Sequence, residues 1–149
     1  MQQHKKLKIC ILGSGNIGTD LLVKVLRSEY LECGAFIGRN LSSPGMQKAV
    51  ALGVPVSADG IDYIQKNPDC CDLVFDATSA GGQKEHAPIL RKLEKRVIDL
   101  TPAQIGRMGV PSVNLAESLN EYNVNMITCG GQASIPIAHA IGKTQSEVE

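Results

Sequence analysis

The chain has 149 residues, 43% of them hydrophobic and 20% charged, with 15 basic side chains balanced by 15 acidic ones. One domain with a substantial core is expected at this length. Zero formal charge gives no basic face for nucleic acid, no apolar run is long enough to span a bilayer, and five cysteines without a CxxC pair argue against a disulfide framework or a zinc site. Free thiols fit a reducing, cytoplasmic compartment. The opening "MQQHKKLKICILGSG" is broken by glycine too early for a signal-peptide core.

Strands and helices alternate along the chain. "LKICIL", Leu7–Leu12, reads as a short strand buried on both faces. A helix is expected from Asn16 to Ser28, with Ile17, Leu21, Leu22, Val25 and Leu26 along its apolar face. "LECGAFIG" holds a second strand ending near Ile37. Pro44 suits the first turn of a short helix that stops at Gly53. "VPVS" is a weak third strand, and "GIDYIQKN" a helix closed by Pro68. "CDLVFDAT" is the fourth strand, "SAGGQKEHAPILRKLEK" a loop and helix, and "RVIDLTP" the fifth strand, with Pro102 forcing an exit.

Residues 103–109 look irregular, and "VPSVNLAESLN" reads as a short strand and a helical turn. Val124 to Thr128 is the sixth strand, and a helix follows Cys129. This order predicts an α/β fold: one domain with a doubly wound, Rossmann-type parallel sheet and right-handed crossovers. The last stretch, "GKTQSEVE", reads as a lead into a further segment.

"GSGNIG" places Gly13, Gly15 and Gly18 between a predicted strand and a predicted helix, the setting in which GxGxxG binds a dinucleotide. Gly13 serves the tight turn, Gly15 the approach of a pyrophosphate, and Gly18 close packing of helix on strand. The helix N-terminus presents N–H groups and a positive dipole end to the phosphates. The acidic residue that such folds carry after the second strand is missing, because Gly38, Arg39 and Asn40 stand there.

"DATSAGGQ" after the fourth strand brings small residues, Thr78 and Ser79 among them, beside the expected cofactor. Its alternative is an ordinary βα turn. Asp99 fits a loop-ordering carboxylate better than a site residue.

Cys129 is the candidate nucleophile. A sulfur at a helix N-terminus sits in a positive potential that favours the thiolate. Gly130 and Gly131 leave room for a substrate carbonyl and bare N–H groups for an oxyanion, while Gln132 is placed to orient substrate or cap the helix. A buried structural cysteine is the alternative. Beside a nicotinamide cofactor a thiolate makes coherent chemistry: attack on an aldehyde, hydride transfer and a thioester. Cys10, Cys33, Cys70 and Cys71 are expected to serve packing or the surface. No histidine is assigned as base, since His139 lies ten residues along the same helix, about 15 Å away, His86 belongs to another helix and His4 to a tail.

"KICILGSGNIGTDLL", "DLVFDATSAGG", "VIDLTPAQIG" and "VNMITCGGQASIPIAHA" together resemble the N-terminal half of the acylating acetaldehyde dehydrogenases of meta-cleavage aromatic catabolism. The resemblance runs from about Lys8 to Gly142. It implies oxidation of acetaldehyde, or a short aldehyde, by NAD with CoA as co-substrate. Cys129 becomes the acyl-thioester nucleophile, and Ser14, Gly15, Asn16 and Ile17 become cofactor contacts.

It also implies a 4-hydroxy-2-oxovalerate aldolase partner and a second domain with the subunit interface, giving a homo-oligomer at full length; with no candidate base near Cys129, the isolated chain is expected to be inactive. Semialdehyde dehydrogenases are a nearby alternative, and a dinucleotide-binding module without turnover is another. The family's aspartate after the second strand is replaced by Arg39–Asn40. NAD is expected as principal cofactor, with poor discrimination against NADP because Arg39 is placed to pair with a 2′-phosphate.

Overall fold

A computed structural model describes residues 5–145. Seven strands form one sheet in the order β3-β2-β1-β4-β5-β7-β6, and every pairing is parallel. They are β1 Leu7–Leu12, β2 Leu31–Ile37, β3 Val56–Ser57, β4 Leu73–Asp76, β5 Arg96–Asp99, β6 Arg107–Met108 and β7 Asn123–Asn125. The helices are α1 Asn16–Arg27, α2 Pro44–Ala51, α3 Ile61–Lys66, α4 Ala80–Lys92, α5 Pro111–Ser118 and α6 Cys129–Thr144, with a 3-10 turn at Pro68–Cys70 before β4. The expected doubly wound α/β domain is present, and strand order reverses between β1 and β4.

Alternation along β1 divides the core. Ile9 and Ile11 pack with Leu22 and Val25 of α1 and Met46 and Ala49 of α2. Cys10 and Leu12 point the other way, onto Ile64 of α3 and Leu90 of α4. A strand buried on both faces needs an unbroken apolar run, which is what "ICIL" supplies.

Several expectations need correction. Ile17 and Leu26 are 56% and 44% exposed; α1 crosses the sheet on the narrower stripe of Gly18, Leu22 and Val25. Residues 103–109 contain β6, a two-residue edge strand paired with β7. Pro111 opens a helix where a strand was expected, kinked at Asn114. There Oδ1 of Asn114 accepts from Val110 N (2.8 Å) and Nδ2 donates to Met108 O (2.9 Å).

The sixth predicted strand, β7 in the sheet, stops at Asn125 instead of Thr128. Ile127 turns the chain out of the ladder at φ 54°, an expensive backbone for a β-branched residue. It is held there by a buried network. Asp99 is fully buried, and its Oδ1 accepts from Thr101 N (2.7 Å) while its Oδ2 accepts from Asn125 Nδ2 (2.8 Å). Asn125 also donates to Thr101 O (3.0 Å), and its Oδ1 accepts from Ile127 N (2.8 Å). Asp99 is therefore the loop-ordering group that the sequence predicts.

One half of the sheet is bare on the α1 side. Leu73, Phe75, Ile98, Val124 and Met126 line an apolar cleft of about 760 Å³, rimmed by Leu115 and Leu119 of α5. Helix α6 buries none of its residues and exposes Ile135, Ile137 and Ile141. Among the described residues no helix is long and apolar enough to cross a membrane.

Replacing Asn125 by Ala strands a buried carboxylate oxygen and two backbone groups. Asn125→Ala is expected to lower unfolding free energy by about 2–4 kcal/mol in urea melts, with the Asp99 side loop and the turn at Ile127 losing amide-exchange protection first. A loss under about 0.5 kcal/mol would show that the network does not hold the turn.

Candidate functional site

The carboxyl edge of the sheet opens into a cleft of about 640 Å³ at the point where strand order reverses, where open α/β sheets take their ligands. Gly13, Ser14 and Gly15 form one wall, Arg39 and Asn40 the end beyond β2, and Ala77, Thr78 and Ser79 the wall beyond β4.

The first wall depends on contacts without side chains. Gly13 has φ 106°, and a Cβ on it would lie 2.5 Å from Ala77 O. A Cβ on Gly18 would lie 1.9 Å from Gly13 O. Strand, turn and helix therefore close on one another only as glycines. Gly15 differs, since nothing in the protein lies within 4 Å of the place its Cβ would take.

Gly15 is also the N-cap of α1 and supplies no side-chain bond to the helix. The other two long helices are capped: Ser79 Oγ accepts from Gly82 N (3.1 Å) on α4, and Thr128 Oγ1 accepts from Gly131 N (2.9 Å) on α6. The first-turn N–H groups of α1 thus lack a side-chain acceptor, beside an open cleft, which suits a phosphate group.

Of the expected cofactor contacts, the cleft brings together Gly13, Ser14, Gly15, Arg39, Thr78 and Ser79. Asn16 and Ile17 lie exposed in the first turn of α1, outside the lining, and Gly18 is buried. Ser14 Oγ sits 3.2 Å from Ser43 Oγ at the start of α2. Thr78 is drawn inward, its Oγ1 donating to Asp76 Oδ1 at 2.5 Å. Arg39 and Asn40 are exposed at the mouth, and the carboxylate expected after the second strand is absent there.

One pair escaped the sequence reading. Asp76, fully buried at the end of β4, places Oδ2 2.7 Å from His86 Nδ1, and His86 lines the cleft. The contact orients the His86 ring at the cleft wall. Ten residues separate the two, a spacing without a signature; the pair forms because α4 folds back over the end of the strand that precedes it.

Cys129 is exposed and is the first residue of α6, four positions past the end of β7. It does not line the cleft. Its strand is three places from β1 on the same edge, about 14 Å at ordinary strand spacing. The Thr128 hydroxyl takes the Gly131 N–H, so Cys129 and Gly130 carry the first-turn donors that have no intrahelical acceptor.

The two glycines have separate reasons. A Cβ on Gly130 meets only Thr128 Oγ1 at 3.9 Å, so that side is open, whereas a Cβ on Gly131 would lie 2.6 Å from Ile127 Cδ1. Gly131 makes room for the strained Ile127 and not for substrate. Gln132 neither caps the helix nor faces outward: its Nε2 donates to Gly109 O (2.6 Å) and Met126 O (3.0 Å), tying α6 to the ends of β6 and β7. His139 lies on α6 as expected, while His4 is outside the described residues.

The remaining thiols are less accessible. Burial pushes Cys33 up to about 11. Cys10 is raised by its hydrogen bond to Cys71 and by burial, and the same bond pulls Cys71 down, although Cys71 is only 1% exposed.

Residues 8–122 match the family described as semialdehyde dehydrogenase, NAD binding domain. The chain is 58% identical over 145 residues to an acetaldehyde dehydrogenase of Spirochaeta aurantia, covering 97% of this chain and 49% of the relative. It is 52% identical over 148 residues to that of Pectobacterium atrosepticum, covering 98% and 50%. Among solved structures, aspartate semialdehyde dehydrogenase with NADP from Candida albicans superposes with a TM-score of 0.74 at 12% identity, over 97% of this chain and 49% of that one. The second aspartate semialdehyde dehydrogenase of Vibrio cholerae gives 0.68 at 19%, over 93% and 47%; both likenesses concern the fold. The chain spans about half the length of the curated relatives it matches. It belongs to the semialdehyde dehydrogenase NAD-binding domain family.

Two outcomes test the site. Gly15→Ala should fold normally, with a stability change of about 1 kcal/mol or less, yet weaken NAD binding about tenfold or more by calorimetry, because its methyl enters the open cleft. Gly13→Ala should lose stability as well; equal NAD affinity in Gly15→Ala and wild type would remove the phosphate loop from this role. Separately, iodoacetamide with peptide mapping should label Cys129 first, since it alone of the five thiols is exposed.

Proposed function

We propose that this NAD-binding domain is the cofactor- and nucleophile-bearing half of an acylating acetaldehyde dehydrogenase, which converts acetaldehyde, CoA and NAD to acetyl-CoA and NADH. The observation that carries the reading is the position of Cys129: an exposed thiol at the start of α6, on the same sheet edge as an uncapped glycine-loop helix. Identity of 58% and 52% to acetaldehyde dehydrogenases across nearly the whole chain supports the substrate class.

The cleft fits a dinucleotide in chemistry. The α1 N–H groups and Ser14 suit the pyrophosphate, and open space at Gly15 admits it. Arg39 lies where the adenosine ribose is expected. A bound nicotinamide supplies the hydride acceptor. The Cys129 sulfur forms the bond to the aldehyde carbon, and the N–H groups of Cys129 and Gly130 stabilise the oxyanion. Hydride leaving for that acceptor would leave an acyl thioester on Cys129, and the CoA thiol would displace it, its proton passing to the departing Cys129 thiolate.

The second half of the protein completes the machine in this reading. It covers the bare sheet cleft and the apolar surface of α6, supplies the base missing around Cys129 and forms the subunit interface of a homo-oligomer. A cytoplasmic setting suits five free thiols, and delivery of the aldehyde by a 4-hydroxy-2-oxovalerate aldolase, within aromatic catabolism, follows from the family resemblance.

The 149-residue chain is expected to bind NAD without forming NADH from acetaldehyde and CoA. Joined to the second half of the Spirochaeta aurantia relative, it should gain CoA-dependent NADH formation, and Cys129→Ser in that fusion should abolish it. A Cys129→Ser fusion that keeps full activity would refute the nucleophile.

Arg39→Ala should weaken NADP binding by about 1–2 kcal/mol while changing NAD binding little, as expected for a charge-assisted phosphate contact. A preference of the parent chain for NAD above about a thousandfold, roughly 4 kcal/mol, would mean that another group selects the cofactor.

A further inference from the structure

Three of the cysteines expected to serve packing or the surface meet in space. Cys10 Sγ is 3.5 Å from Cys70 Sγ, which is 3.9 Å from Cys71 Sγ, and all three lie within 4.8 Å of one another. Two distant parts of the chain build the cluster. Cys10 comes from the middle of β1, while Cys70 and Cys71 come from the turn that leads into β4.

Gly34 on β2 makes the meeting possible. A Cβ there would lie 1.9 Å from Cys70 O, so the turn rests directly on the strand pair β1–β2, at the place where their register shifts between Ile9 and Cys10. The pocket walls are apolar: Leu12, Ala35, Ile64 and Val74 belong to the same buried cluster, with Ile61 and Tyr63 packed on it. Cys10 and Cys71 are buried, and Cys70 is partly open and forms the entrance.

We propose that Cys10, Cys70 and Cys71 form a three-sulfur binding site for a soft, thiophilic metal ion, with Cu(I) as the ion that three sulfurs alone satisfy. The distances support it. A triangle with edges of 3.5 and 3.9 Å and a third edge no longer than 4.8 Å has its centre at most about 2.4 Å from each corner, close to the metal–thiolate bond of about 2.3 Å known from zinc. No imidazole or carboxylate joins the group among the described residues. Hard ions such as magnesium and calcium want oxygen and are disfavoured, and zinc in a structural site wants a fourth ligand, whereas sulfur donors select Cu(I).

Binding breaks the S–H bond of each ligating thiol, forms a metal–sulfur bond in its place and releases the proton to solvent; no electron is transferred. Lys95 lies near enough to act on the Cys70 and Cys71 sulfurs and offsets part of the thiolate charge.

The site stands apart from the dinucleotide cleft. Cys10 precedes Gly13 by three residues, about 10 Å along the strand, and none of the three cysteines lines the cleft. A metal there would tie β1 to the entry of β4 and act on stability as any ligand of the native state does.

Anaerobic titration of the 149-residue chain with Cu(I), in competition with bicinchoninate, tests the assignment. One ion per chain is expected, together with a rise in melting temperature and an X-ray absorption spectrum of three sulfur scatterers without nitrogen or oxygen. Cys70→Ser, at the open corner of the cluster, should fold as wild type and bind Cu(I) at least about 100-fold more weakly, a loss at or above the upper end of what removing an outer-shell partner causes. Cys33→Ser and Cys129→Ser should bind as wild type. Loss of the ion in Cys129→Ser with retention in Cys70→Ser would overturn the proposal, and so would a spectrum with fewer than three sulfurs, which needs no variant to read.

Discussion

The contact between Gly13 and Gly18 is the constraint on which the rest of the domain depends. A helix can follow β1 at this short distance only because the Gly13 carbonyl meets no side chain at residue 18. The same turn needs Gly13 at φ 106° with its α-carbon against Ala77. These two contacts fix α1 against the sheet and hold the tip of β1 beside the tip of β4. The cleft between them is then a consequence of strand order: successive strands leave β1 in one direction and β4 in the other. An open Gly15 and an uncapped first turn give that crevice the features that suit an anion.

A second set of interactions governs the thiol. Cys129 stands where it does because the chain leaves β7 three residues earlier than its β-prone composition suggests. Asp99 and Asn125 make this exit by satisfying each other inside the sheet and taking the Ile127 N–H. Gly131 accepts the displaced Ile127 side chain, and Gln132 ties the helix back to β6 and β7. The backbone strain at Ile127 is thus distributed over four partners, and their joint effect is to bring a thiol out of the sheet at a helix N-terminus. Strain held by surrounding structure at such a place is common where position matters for chemistry.

The domain is tightly packed on one side and open on the other. Around β1 and β2 both faces are closed by helices, and nineteen apolar residues are buried among the described residues. Around β5 and β7 one face holds an apolar cleft, and α6 buries nothing. Parallel strands are normally covered on both faces, and relatives of about twice the length have chain to cover them. The contrast separates a part closed by helices on both faces from a part that keeps an open apolar face.

The sequence by itself determined the wound α/β order, because each element announces itself locally: "ICIL" as a doubly buried strand, GSGNIG as a turn into a helix, Pro44 and Pro68 as boundaries. It determined the glycine loop and the candidate nucleophile for the same reason, since both are written in adjacent residues. Local pattern failed where a neighbour in space outweighed it. Val124 to Thr128 has the composition of a strand throughout, but the Asp99–Asn125 bond, across 26 positions, ends the ladder at Asn125. Leu26 and Ile17 fit the helical stripe, yet the close approach at Gly18 sets which stripe meets the sheet.

The Asp76–His86 pair and the three-cysteine cluster carry no motif at all. Each joins side chains that only the crossover geometry makes adjacent: α4 folding over the tip of β4, and the 3-10 turn settling on Gly34. Short-range chemistry was legible in the chain, whereas pairings between strands and across turns were decided by packing, where backbone proximity and buried hydrogen bonds outweigh local propensity.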